Sequence, residues 1–378
     1  MVNGIVIKTD NKDSNETNLG YLDALKGLAI LAVTMVHSIG ADLPGVWGKI
    51  GSEGARGVQM FFIISGILAF RSLKNSFPNG KLTIKDVGKW YLKKYIRIAP
   101  LYYFAIVVSM LTGSFNMYWL GAEGHVTIKN ILAHVFLVHG LFPHYTDSIL
   151  AVEWYLGVLW LFYLITPFLF RLVNSLEKAI IFAIIVFIVN PQLNYGLGLL
   201  LPNNPDPYIY NEYIVNFGPF SQFLVYSFGI VLFFLIEKIK DRKTKYSRIL
   251  SYALFLFALI IVFGQVIVGG KLFGFSKYEI FGLLFAIIII SQVVYPSKLV
   301  CNPAFRLIGR YSYGIYLFQF IWLHFYDLFI HYTGKYEWIV KYSISLAALF
   351  VISFILTEFY EKPIRNKLIK NIFENNRA

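Results

Sequence analysis

From residue 20 to residue 360 the chain repeats one pattern: an apolar run, a short polar loop, and another apolar run. The runs lie at 20–40, 57–73, 91–112, 150–170, 179–190, 214–236, 249–268, 279–295, 307–331 and 338–360. A helix needs about 20 apolar residues to cross the hydrocarbon core, and irregular backbone cannot stand there exposed to lipid. Charged residues make up 15% of the chain, where soluble domains average about 25%. The expectation is an all-α, polytopic membrane bundle of about ten transmembrane helices, with no soluble domain large enough to fold alone. Residues 20–365 form that bundle, and 1–19 and 366–378 read as cytoplasmic tails, the first of them disordered.

Charge sets the expected orientation. The loop 71–97 carries eight Lys and Arg residues, and 237–248 (EKIKDRKTKYSR) is similarly basic, so both belong on the cytoplasmic side. They fall on one side only if the apolar segment 128–142, which contains His134 and His139, does not span. That segment is therefore expected as a re-entrant or interfacial helix on the outer side. Ten spans then put both termini in the cytoplasm, and 41–56, 113–127 and 191–213 become outer loops. The run 179–190 is short for a span. The net charge of +13 is explained by cytoplasmic loop bias, so no nucleic-acid partner is implied.

The first run, LDALKGLAILAVTMVHS at 22–38, carries Asp23, Lys26 and His37. Lys26 and His37 are eleven residues apart, close to three full helical turns, so they share one face about 16 Å apart along the axis. In the expected topology Asp23 and Lys26 lie at the cytoplasmic edge and His37 in the outer half. Polar groups in a span usually face a bundle interior or a wet cavity. Lys26 alone reads equally as a snorkelling anchor. An imidazole suits the task of taking a proton from a hydroxyl near neutral pH. His324 and His331 sit at the outer end of the ninth run, and the remaining histidines lie in 125–144.

Lys93, Lys94 and Arg97 form a basic turn at the start of the third run. Such a turn can bind a phosphate or act as a stop-transfer anchor on anionic lipid. The single Cys301 excludes a disulfide framework, no cluster with metal-ligand spacing lies near His37, and neither GxSxG nor a Walker loop is present. No metal is expected.

Several short motifs resemble those of the acyltransferase-3 family, integral-membrane enzymes that O-acetylate cell-envelope sugars. The first helix is similar to LDxLRxxA…H, with Asp23, Lys26 (for the usual arginine) and His37 in place. GVQMFFIISGILAF at 57–70 is similar to GVdlFFvlSGFl, and KYIRIAP at 94–100 to RxxRIxP with Lys94 for arginine. VEWYLGVLWLFY at 152–163 looks like WxLxxExxxY, but Leu159 stands at the glutamate position and Glu153 precedes Trp154. IGRYSYGIYLFQ at 308–319 is similar to LGxiSYxiYLxH with Gln319 for histidine, and YEKP at 360–363 to ExP.

The resemblance implies an acetyl-CoA donor bound from the cytoplasm and an extracytoplasmic acceptor, a polysaccharide or a lipid-linked sugar. The implied catalytic base is His37; Asp23, less than one turn before Lys26, reads equally as a catalytic orienting group and as a structural residue of the helix start. Lys26, Lys94 and Arg97, with Lys93, would hold the CoA phosphates; Glu153, Trp154 and Tyr155 would meet the acceptor. The departures at Leu159 and Gln319 are expected to bear on the acceptor side and to leave the donor side intact. The implied location is the cell membrane. The alternative from another class is a transporter or flippase of lipid-linked sugars with His37 as proton relay, but the paired interrupted half-helices it requires are not visible. A succinyl donor or a non-sugar acceptor fits the same sequence.

Overall fold

The computed structural model describes residues 19–40, 43, 45–77, 82–116, 119–120, 124–201, 206–268, 275–330, 334 and 336–374. His331, 1–18 of the first tail and 375–378 of the second lie outside the described residues. Within them the chain is helical and holds no β-strand. In order the helices are α1 (Gly20–Met35), α2 (Gly45–Ser52), α3 (Gly57–Ser76), α4 (Ile84–Thr112), α5 (Ile128–Val135), α6 (Trp154–Leu172), α7 (Leu176–Leu200), α8 (Pro207–Glu212), α9 (Pro219–Ile239), α10 (Ser247–Val268), α11 (Lys277–Val294), α12 (Pro303–Arg310), α13 (Ser312–Phe329), α14 (Glu337–Leu356) and α15 (Lys362–Ile369).

Nine helical segments among the described residues are long and apolar enough to cross a membrane. They contain α1, α3, α4, α6, α7, α9, α10, α11 and α14, and this is a multi-pass membrane protein. The helix α13, 18 residues long, is not among them: its tyrosines, Gln319, His324 and Asp327 make it less apolar. The span expected at 179–190 is in fact 25 residues long, because α7 continues through Pro191 to Leu200. The outer loop expected at 191–213 is therefore largely helical, as is 45–56, where α2 and a 3-10 turn lead into α3. Segment 128–142 does not span: eight residues form α5 and 3-10 turns follow.

Local chemistry accounts for several boundaries. A Thr83–Asp86 capping box opens α4, and Gly113, left-handed at φ 70°, closes it. Ser276 and Glu279 form the same box on α11, and Asn302 caps α12 ahead of Pro303. On α7, Ile181, Ile184, Ile185 and Ile188 point outward, and on α10 Leu256, Phe257, Ile260 and Phe263 do so. Such outward apolar faces require lipid rather than water as the surrounding medium.

Crossings close enough to need glycine include those of α1 with α12 and of α3 with α9. A Cβ on Gly309 of α12 would lie 1.7 Å from the Asp23 carbonyl oxygen, and one on Gly27 of α1 would lie 2.1 Å from that of Phe305. A Cβ on Gly229 of α9 would lie 2.3 Å from the Ile63 carbonyl oxygen of α3. Small residues at such contacts let helices approach without a hydrophobic driving force between them. The α1–α12 crossing brings Arg310 to the cavity that Lys26 lines.

Candidate active site

Two cavities lie within the bundle on opposite sides of a group of three rings. The first, about 350 Å³, is lined by Lys26 of α1, Lys94 and Arg97 of α4 and Arg310 of α12. Lys26 forms an ion pair with Asp23 at 2.6 Å. Lys94, Arg97 and Arg310 form no ion pair among the described residues. The Lys94 ammonium lies 5.1 Å from the ring centroids of both Trp90 and Tyr163, a cation–π setting that holds a charge without neutralising it. Three unneutralised cations on one concave wall form a site for an anion of high charge.

Phe61, Tyr155 and Tyr316 close the far end of this cavity. Their ring centroids stand 5.7 to 6.4 Å apart. The Tyr155 hydroxyl and Ser65 Oγ are 3.0 Å apart, and the Tyr316 hydroxyl donates to the Val152 carbonyl at 2.5 Å. Tyr316 lines both cavities.

Beyond it the second cavity, about 570 Å³, holds His37 with Trp154, Phe217 and Phe320 and the polar groups of Asn116, Asp147, His324, Asp327 and Lys341. Asp327 and Lys341 pair at 3.0 Å. The His37 ring lies 4.8 Å from that of Phe320. His37 stands in a π turn, Val36–Gly40, that follows α1. The α-helical spacing expected between Lys26 and His37 is thus altered over its last residues, yet the two still open into cavities facing each other across the rings. Widened turns of this kind recur at functional sites.

The wall beside His37 comes from the insertion between α4 and α6. Glu153 is fully buried, and its carboxylate accepts the backbone N–H groups of Ile149 (2.6 Å), Leu150 (3.0 Å) and Val152 (3.1 Å). His134 Nε2 lies 3.3 Å from the same carboxylate, its Nδ1 is 2.8 Å from the Asn130 carbonyl, and its ring stacks on His139 at 4.3 Å. Burial and the adjacent His134 hold His139 well below the usual imidazole range. This clamp keeps Ala151, a wall residue of the second cavity, at a φ of 60°, a conformation that costs about 1–3 kcal/mol outside glycine. Asp147, a wall residue of the second cavity, is 6% exposed, and its buried Oδ1 has no hydrogen-bond partner among the described residues. Burial, and then the charge of Glu153, push its carboxyl well above the usual carboxylate range.

The structure therefore brings Lys26, Lys94 and Arg97 together and places His37 and Trp154 in the opposite cavity. Asp23 stays with Lys26, fourteen residues before His37. Lys93 departs from its expected group: it faces away from the cavity, its ammonium 5.2 Å from the Phe373 ring. Glu153 reaches neither cavity because backbone amides and His134 occupy its oxygens. Tyr155 lines the basic cavity, not the one with His37, and so does Leu159; the departure at 159 bears on the cationic side, contrary to expectation. Sequence reasoning missed Arg310, Tyr316, Asp147 and Asn116, and it gave His324 no role beside His37. His324 was legible: it lies on one helix with Gln319 and Phe320, near the same end. Asp147 carried no sequence signal, since its place depends on the clamp around Glu153. Among the described residues no group of three or more His, Cys, Asp or Glu could hold a metal ion. A third cavity, about 930 Å³ and lined by Leu132, Phe136 and Phe142, joins neither of the others.

Comparison with known proteins bears on this arrangement. The peptidoglycan O-acetyltransferase OatA of Listeria monocytogenes serovar 1/2a is 25% identical over 393 residues, covering 93% of this chain and 57% of that protein. A protein of Staphylococcus aureus strain COL, provisionally named as an O-acetyltransferase, is 24% identical over 92% of this chain and 58% of its own length. A protein of the Acidianus two-tailed virus, provisionally named as an acetyltransferase, is 25% identical over 79% of this chain and 81% of its own. The chain thus spans less than two thirds of the length of the two bacterial relatives. No solved structure matches it. The family model described as an acyltransferase domain matches residues 19–358, and the chain belongs to that family, the one its motifs resemble.

Proposed function

We propose that the chain is a membrane-embedded O-acyltransferase of the cell membrane. It moves an acetyl group from cytoplasmic acetyl-CoA to a hydroxyl of an extracytoplasmic sugar in a cell-envelope or exopolysaccharide acceptor. The observation that carries this reading is the pair of cavities meeting at Tyr316, one with three unpaired cations and the other with His37. The basic end of the bundle faces the cytoplasm, which puts both termini there. Lys94, Arg97 and Arg310, with Lys26, fit the phosphates of the donor, while its thioester arm passes between Phe61, Tyr155 and Tyr316. The aromatic and hydrogen-bonding wall around His37 fits a sugar, whose ring has apolar faces and hydroxyl edges.

In the transfer His37 takes the proton of the acceptor hydroxyl. The freed oxygen forms a bond to the thioester carbonyl carbon, the carbon–sulfur bond breaks, and the departing thiolate receives the proton back from the imidazolium. No covalent acyl-enzyme is required. The test uses purified protein in detergent with radiolabelled acetyl-CoA, comparing wild type with His37→Ala for donor binding and for label transfer to extracted envelope glycan. Retained binding with lost transfer is the expected result. A folded wild type that binds no CoA would overturn the reading and favour transport.

A further inference from the structure

Two buried polar atoms beside the proposed base lack partners, and they are complementary. His37 Nδ1 is buried and makes no hydrogen bond among the described residues; the same is true of Gln319 Oε1. Gln319 is fully buried on α13, immediately before Phe320, whose ring packs against His37. The two side chains are near enough for the carboxamide to act on the imidazole, although neither atom completes a hydrogen bond in this structure. The orientation of that amide is fixed from the other side, because Nε2 donates to the Tyr316 carbonyl at 3.1 Å. An amide nitrogen bound to a carbonyl leaves its oxygen as the acceptor. A buried acceptor without a partner is costly, and so is a buried donor. One bond relieves both.

We propose that Gln319 is the positioning residue of His37: its Oε1 accepts the Nδ1 proton, which leaves Nε2 unprotonated and directed into the second cavity. The opposite tautomer would set the Nδ1 lone pair against the amide oxygen and leave two acceptors buried and facing each other. The nitrogen opposite a hydrogen-bonded one is the basic one in a neutral imidazole. The amide does this without adding charge to the cavity. The other titratable groups lining the cavity are Asp147, Tyr316 and His324, together with the Asp327–Lys341 pair; on the neighbouring turn Glu53 is paired with Arg56 at 3.2 Å and with Lys277. The function of Tyr316 in this scheme is set by its backbone: its carbonyl anchors the amide while its ring separates the cavities.

This inference rests on His37 being the base, so its test needs a readout independent of turnover. Full-length protein in lipid nanodiscs, labelled with ¹⁵N-histidine and assigned with His37→Ala, reports which ring nitrogen carries the proton. Wild type is expected to show Nδ1–H at His37, and Gln319→Leu a mixture of both tautomers. In transfer assays Gln319→Leu should lose about 10²-fold in kcat, the low end of what a positioned base contributes, with KM for the donor unchanged. Gln319→Glu, which restores an acceptor and adds charge, should recover rate and move the acid limb of the pH–rate profile to higher pH. A purely structural side chain would not move that limb. An Nε2–H tautomer in folded wild type, or an unchanged tautomer and rate in Gln319→Leu, would overturn the proposal. A His37→Ala protein of wild-type rate would instead overturn the base itself, whatever the ring spectrum shows.

Discussion

The two cavities differ in how their charges are arranged. The one lined by Lys26 has four cations and a single carboxylate partner, Asp23. The one lined by His37 pairs its cation, Lys341, with Asp327, and its other polar groups include the Asn116 amide, the imidazoles of His37 and His324 and the carboxyl of Asp147, set among aromatic rings. Unpaired charge recognises an anion at long range and with little demand on shape. Paired charge and fixed hydrogen-bonding groups recognise a neutral polyol by geometry. The contrast implies that donor and acceptor are selected by different physics on the two sides of one ring septum.

The largest effect should come from separating chemistry from donor capture. His37→Ala is expected to lower transfer by about 10²–10⁴-fold, the range of a positioned acid–base group, while equilibrium binding of labelled acetyl-CoA stays within a factor of two or so of wild type. Loss of both together in a folded protein would mean that the cavities do not act separately.

Next comes the cationic wall. Arg97→Ala should weaken donor binding about 10- to 100-fold, corresponding to one charge-assisted hydrogen bond of about 1.5–3 kcal/mol. At saturating donor kcat should hold. Arg97 is exposed at the cavity mouth, so donor affinity in wild type should fall as salt rises and fall less steeply in the variant. Titration at two ionic strengths checks this, and an equal salt slope in both proteins would place the phosphates elsewhere.

These expectations draw on features that were unevenly legible. The spans were readable because hydrocarbon demands length and apolarity of each helix, whatever its neighbours do. Lys26 and His37 were readable because polar residues are conspicuous in such a run. The surroundings of Glu153 were not, since the backbone there follows side-chain clamps rather than any period. Glu153 shows the difference: beside Trp154 it reads as a binding residue, but three backbone amides determine its role. Lys93 and Lys94 are adjacent in sequence and diverge in space because successive helical residues point about 100° apart.

Glu153 supplies a third and smaller test. Glu153→Gln keeps the shape but replaces one acceptor oxygen by a donor opposite backbone N–H groups. It should cost about 1–3 kcal/mol of stability and lower the melting temperature in detergent. Transfer measured well below that temperature should remain within a fewfold of wild type if the residue shapes the wall of the second cavity without touching the acceptor. A large loss of transfer without a change in melting would return Glu153 to the acceptor site.

The smallest effect concerns Asp147, and its sign follows from linkage. An unfolded aspartate ionises near pH 3.9, whereas burial and then Glu153 raise the folded carboxyl well above that range. The unfolded state therefore loses its proton first. Stability associated with the protonated carboxyl is complete below the unfolded value and is lost as pH rises through the folded one. Asp147→Asn mimics the neutral acid and cannot ionise. Against wild type, the variant should gain melting temperature progressively between about pH 4 and neutrality. Thermal melts in detergent across that interval measure the difference directly. A difference that stays constant with pH would mean that Asp147 is ionised in the fold, and the cavity around His37 would then hold an unpaired anion, removing much of its contrast with the cationic wall opposite.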